Sequence, residues 1–129
     1  MKTKFFTLLW TVGTIVLAQC PDNITFTTQN DVAAFQSNFP NCVNIPGNVT
    51  VQGPFSFLDF LDQIESIGGD FKINSSQSLI NLSGLENLET VGGVFQLFDN
   101  ENIMEIDALS SLQTVGSDLI ISNNLKLDN

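Results

Sequence analysis

A repeat of 24 residues limits what this chain can fold into. From Ile67 the sequence reads IGGDFKINSSQSLINLSGLENLET, then VGGVFQLFDNENIMEIDALSSLQT, then VGSDLIISNNLKLDN. Ile67, Val91 and Val115 stand 24 residues apart, as do Phe71, Phe95 and Leu119. Ile73, Leu97 and Ile121 keep the step, and so do Leu79, Ile103 and Leu127. One such unit cannot bury its apolar side alone, but stacked units share a continuous core, which is the logic of a solenoid. An earlier, shortened copy precedes them. Ile45–Val51 matches Ile67–Ile73 at a step of 22, whereas Phe55, Leu58, Leu61 and Ile64 match Leu79, Leu82, Leu85 and Leu88 at 24. The missing pair falls in the turn around Gln52-Gly53-Pro54, where a deletion leaves stacked apolar columns intact.

Within each unit the pattern changes along the chain. Phe71-Lys72-Ile73 alternates in-out-in, as do its counterparts Val49–Val51, Phe95–Leu97 and Leu119–Ile121, so stacking yields a parallel sheet with one buried face. A turn follows, with Ser76, Asn100 and Asn124 in one column. A carboxamide there satisfies backbone groups that a tight turn leaves unpaired. Asp59, Ser83 and Asp107 read as helix N-caps, and Ser83-Gly84-Leu85-Glu86 as a capping box. Short helical turns are thus expected near 60–65, 84–89 and 108–113, directing Leu61/Ile64, Leu85/Leu88 and Leu109/Leu112 inward. Gly68-Gly69, Gly92-Gly93 and Gly116 are expected to permit positive φ for a sharp return into the next strand.

The chain begins differently. Lys2 and Lys4 precede an apolar run, Phe5–Leu17, that ends in Val16-Leu17-Ala18. That is the charged start, apolar middle and small-residue cleavage site of a secretory signal peptide, and it is too short to span a bilayer. Residues 1–18 are read as that peptide, and the protein as secreted or displayed at the cell surface. A lipoprotein alternative would cut before Cys20, but Gln19 is bulky where a small residue is expected. Cys20 and Cys42 are the two cysteines. In an exported chain they suggest a disulfide, worth on the order of 3 kcal/mol in the chain-entropy model. Ile24–Thr27 alternates like a half-buried strand. Asn30 or Asp31 opens a helix with Val32, Phe35 and Phe39 on one face, and Pro40 ends it. Residues 19–44 are read as a disulfide-pinned strand–helix cap on the first coil, and 45–129 as the repeats, with the last coil incomplete.

Charge narrows the function. After residue 18 the chain carries all 14 acidic residues against Lys72 and Lys126, with no Arg, His or Tyr. Such a surface repels phosphate backbones and anionic headgroups, so neither a nucleic acid nor electrostatic membrane binding is expected. Solubility is the simplest account of the acidity. Two thiols without His exclude a usual zinc site, and no cofactor motif is present. Catalysis would need an acid, a base and a stabiliser of developing charge, and the inventory is poor in all but carboxylates. No catalytic residue is assigned.

The phrases LxxLxGLxNLxxVGGxFxI and SLQTVGSDLIISNN resemble the repeats of receptor L-domain-like leucine-rich proteins. The opening CPDNITFTTQNDVAAFQSNFPNCVNIPGNVTV is similar to the N-terminal cap of secreted bacterial members of that group, so the resemblance covers Cys20–Asn129. It implies a right-handed parallel solenoid, displayed outside the cell, that recognises a ligand or surface without catalysis. The last coil is read as incomplete, with no closing cap, transmembrane helix or C-terminal sorting module expected within these residues.

Candidate sites lie on the exposed strand face, where Thr50, Lys72, Gln96 and Ile120 form a column flanked by Asn74, Phe98 and Ser122. Such a face commonly serves solenoids as an extended binding surface. Phe98 is the best anchor, since an exposed ring packs on a partner or stacks on a sugar; the plainer reading has it lying on Lys72 or under a loop. Asp99, Glu101, Glu105 and Asp107 suggest calcium, but their spacing fits no calcium motif, and no metal site is assigned. Asn23, Asn48, Asn74 and Asn81 head N-x-Ser/Thr sequons, which Asn- and Ser-rich turns also create by chance. The leading expectation is a non-catalytic module binding an extracellular glycan or protein through the strand face. The alternative is an adhesive or structural envelope spacer without a specific ligand. An uncovered last coil lined by Leu119, Ile121 and Leu127 further suggests self-association.

Overall fold

A computed structural model describes residues 19–128, so the signal peptide read over 1–18 lies outside the described residues. Two parallel sheets carry the architecture. The larger is built from β1 (Ile24–Phe26), β3 (Val49–Gln52), β5 (Phe71–Asn74), β7 (Phe95–Phe98) and β9 (Leu119–Ser122), in the order β9-β7-β5-β3-β1. The smaller contains the two-residue strands β2 (Asn44–Ile45), β4 (Ser66–Ile67), β6 (Thr90–Val91) and β8 (Thr114–Val115), in chain order. Every pairing is parallel. Phe71 pairs with Phe95 and Ile73 with Leu97, as the repeat alignment requires, and Val49 pairs with Phe71 across the shortened copy.

Alternation in the long strands produces one buried face. Phe26, Val49, Val51, Phe71, Ile73, Phe95 and Leu97 are fully buried, and the Phe71 and Phe95 rings stack with centroids 5.1 Å apart. Ile45, Ile67 and Val91 of the small sheet meet them from the other side. Leu58, Leu61, Ile64, Leu82, Leu85 and Leu88 from the connecting segments complete the core. At the last strand, among the described residues, the same two positions, Leu119 and Ile121, are 53% and 37% exposed.

The N-terminal segment joins this stack directly. Helix α1 (Gln29–Asn38) buries Val32 and Phe35, and the Phe35 ring meets Phe26 edge-on at 5.4 Å. Phe39 packs beside Phe35 and is partly buried. Cys20 and Cys42 form a disulfide, which ties the segment before β1 to the segment after the helix. The helix cap is neither Asn30 nor Asp31 but Thr28, in a capping box with Asp31 as the reciprocal partner. The strand accordingly stops at Phe26, because Thr27 is recruited too: its amide and hydroxyl both donate to Asp31 Oδ2, at 2.7 and 2.9 Å.

Two columns of polar side chains run along the stack and satisfy its turns. In the first, Asn100 Oδ1 accepts from the Ser76 amide at 2.9 Å while its Nδ2 donates to the Ile73 carbonyl at 2.8 Å. Asn124 repeats both contacts one unit later, to the Asn100 amide and the Leu97 carbonyl. Continuing the strand register places Pro54 level with Ser76. Proline has no N–H to satisfy, so serine suffices at 76, and its buried Oγ has no protein partner. The second column precedes the strands: the Asn48 amide donates to Asn23 Oδ1, the Asp70 amide to Asn48 Oδ1 and the Val94 amide to Asp70 Oδ1, at 2.7–2.9 Å.

Several local expectations are corrected. The glycine pairs do not adopt positive φ. They are glycines because the units approach closely: a Cβ on Gly92 would overlap the Gly68 carbonyl, and one on Gly93 would meet Asp70 Oδ1. Ser117 is admitted at the next level because Val94 places no such oxygen above it. Asp59 and Asp107 open 3-10 turns (Asp59–Leu61 and Asp107–Ser111) but make no side-chain cap bond. Near residue 84 there is only an irregular turn. Glu86 Oε2 accepts from the Gly84 amide rather than from Ser83, and Gly84 sits at φ +108°, outside helical space.

Two measurements test this account. Asn100→Ala leaves a buried donor and a buried acceptor unpaired and should cost about 2–5 kcal/mol in chemical denaturation; a loss below about 0.5 kcal/mol would show that the column is not structural. The hydrogen bonds from Thr27 and Thr28 hold the Asp31 carboxyl below its ordinary range. A depressed folded-state value stabilises above the unfolded value and is lost as pH falls through the folded one. Helix α1 should therefore loosen first on acidification below the ordinary carboxylate range. Backbone amide shifts of 27–38 followed by NMR should show this, and Asp31→Asn should abolish that dependence.

Candidate ligand-binding face

The outward positions of the long strands follow from the same parity that fills the core. Thr50 pairs with Lys72, Lys72 with Gln96 and Gln96 with Ile120, forming one row across the sheet. A second row, Gln52, Asn74, Phe98 and Ser122, runs beside it in register. Strand β1 extends the first row with Thr25, opposite Thr50. The repeat alignment missed Thr25, because the segment before Asn44 carries no copy of the repeat; only its own alternation signalled a strand.

The character of the face is mixed. Thr50, Lys72, Gln96 and Asn74 are half-buried by their neighbours, while Phe98 and Ile120 are each 38% exposed. Phe98 therefore stands at the surface between Asn74 and Ser122, its Cα partners on either side. Lys72 Nζ lies 3.5 Å from Asp70 Oδ2, with both side chains more than a third exposed. An ion pair so solvated contributes little to stability and leaves the ammonium able to meet a ligand. Asp70 is thus bifunctional: one oxygen holds the Val94 amide and the other faces the lysine.

The remaining candidates are dispersed. Asp99 occupies a left-handed turn at φ 62° and accepts from Ser75 Oγ at 3.2 Å. Ser75 and Asn123 share that conformation at the same level of neighbouring units. Glu105 and Asp107 instead line a surface cavity with Glu86. The four carboxylates singled out for calcium are therefore divided between a turn and a cavity. Of the sequon asparagines, Asn23 and Asn48 are rungs of the column before the strands, and Asn81 Oδ1 accepts from the Ser83 amide. Asn74 belongs to the strand face, its Oδ1 buried without a protein partner.

Parallel sheets joined by short helical turns, an N-terminal disulfide and a broad exposed strand face define an L-domain-like β/α fold. The family model of the receptor L domain matches residues 41–129, and the chain belongs to that family. No curated protein matches it in a sequence comparison. Receptor L domains are extracellular, non-catalytic ligand-binding modules, and the Cys20–Cys42 disulfide fits that location. Among the described residues no helix is long and apolar enough to cross a membrane.

Proposed function

We infer that the protein is a recognition module whose ligand, a glycan or an extracellular protein, lies across the rows Thr50–Lys72–Gln96–Ile120 and Asn74–Phe98–Ser122. The reading treats residues 45–129 as coils of one right-handed solenoid and 19–44 as its cap, with secretion directed by residues 1–18. The observation that carries it is Phe98, an aromatic ring held at the surface by strand parity, with Asn74 and Ser122 as its cross-strand neighbours and Gln96 two residues before it on the same face. A flat, rigid platform orders few groups on binding, so a ligand meets contacts already in place. A ring takes the apolar face of a sugar or an apolar side chain, and Gln96, Asn74 and Lys72 supply donors around it. An adhesive spacer without a specific ligand is the competing reading.

A glycan array and a pull-down with residues 19–129 distinguish them. Phe98→Ala should reduce binding of a retained ligand by about tenfold or more, a 1.4 kcal/mol effect typical of an interface anchor, with an unchanged melting temperature. Binding that survives the triple change of Phe98, Lys72 and Gln96 to Ala would remove the strand-face reading, and inert behaviour on both assays would favour a spacer. Self-association through the layer of Leu119 and Ile121 is a subordinate reading, supported by their exposure. Light scattering on residues 19–129 should then show dimers or larger species that Ile121→Lys dissociates; a monomer at all concentrations removes it.

A further inference from the structure

Beyond the turn that follows each long strand, a second apolar surface is exposed, and the strand-face reading does not use it. Ile80 and Met104 are 49% and 52% exposed, and the Met104 amide donates to the Ile80 carbonyl at 3.0 Å, which holds the two side chains at one level of adjacent units. Phe57, also 49% exposed, stands at the level of Asn81 and Glu105 by the 24-residue step. The chain runs from this shelf straight into a cavity of about 280 Å³, since Asn81 and Glu105, the residues after Ile80 and Met104, both line it. Ser83, Glu86 and Asp107 form more of its wall.

The charge around the shelf is one-sided. Three carboxylates line the cavity, and neither of the two lysines among the described residues does. Glu86 is fixed by accepting the Gly84 amide at 2.7 Å, which orders the group without neutralising it. Among the described residues no three acidic, Cys or His side chains are grouped closely enough to hold a metal ion. Carboxylates spread around a roomy cavity suit a bulky organic cation on a stem. Contiguous exposed apolar side chains rimmed by charge mark interaction surfaces rather than ordinary solvated ones.

We propose that the Ile80–Met104 shelf and its adjoining cavity dock an extended segment of a partner protein in which a lysine or arginine is flanked by apolar residues. The cationic head enters among Glu86, Glu105 and Asp107, and the apolar neighbours lie on Ile80 and Met104. Charge complementarity fixes the partner's sign, since an acidic or phosphorylated segment would meet uncompensated repulsion. This surface is separate from the strand face, so the two readings stand or fall independently.

The test uses the mature chain, isotopically labelled, titrated at low salt with the peptide acetyl-Leu-Arg-Leu-Arg-Leu-amide and with its citrulline counterpart. Saturable shifts confined to residues 80–86 and 104–108 are expected for the arginine peptide. Affinity should fall roughly fivefold in Glu105→Gln and further in the Glu105→Gln/Asp107→Asn pair, as loss of solvated charge pairs implies. Met104→Ser should weaken binding, and Phe98→Ala should leave it unchanged. Equal binding of the citrulline peptide, shifts centred on the strand face, or insensitivity to Glu105→Gln would each overturn the proposal. Glu105→Gln alone keeps the test valid should the double variant misfold.

Discussion

Peptide groups at the turns between parallel strands have no partner inside their own repeat, and a buried one without a partner costs about 1–3 kcal/mol. The structure meets this constraint with side chains that reach one level along the stack: Asn100 to Ser76 and Ile73, and Asn124 to Asn100 and Leu97. Such a bond forms only if each unit lies in strict register with the last. Register is in turn what places Phe71 over Phe95 and closes the core. The glycines before each strand serve the same end, since a side chain at Gly92 would hold the backbones apart.

The exposed face is the other half of that arrangement. Strand parity that sends Phe95 and Leu97 inward leaves Gln96 and Phe98 outside, and vertical register gathers equivalent residues into rows. A rigid scaffold thus displays positions that vary freely without disturbing the core. That is why a family can keep one fold and change its ligand. Here the row offers hydroxyl, ammonium, amide and aliphatic side chains in succession, with one aromatic ring beside them.

Acidity is distributed by role rather than spread evenly. Asp31 caps a helix, Asp70 holds both an amide and a lysine, and Asp99 completes a left-handed turn. Glu105 and Asp107 make no side-chain hydrogen bond among the described residues and border the cavity beside the exposed Ile80 and Met104. Charges that stabilise nothing internally are the ones most available to a partner.

The repeat by itself determined the inward columns, the strand rows and the carboxamide column, because spacing of apolar residues translates directly into which side faces the core. The N-terminal helix and its apolar face were legible from local spacing outside the repeat, though its cap was not: Asn30 and Asp31 both read as candidates, and only the chain path sets Thr28 as the cap with Asp31 as its reciprocal partner. Spacing carries no information about the distance between stacked backbones. The glycine pairs therefore read as turn formers, and only the tertiary structure shows them to be contact points. Nor does a one-dimensional pattern reveal what lies across a unit boundary. The second polar column through Asn23, Asn48 and Asp70, and the placing of Glu86, Glu105 and Asp107 around one cavity, exist because parallel stacking lays successive units side by side.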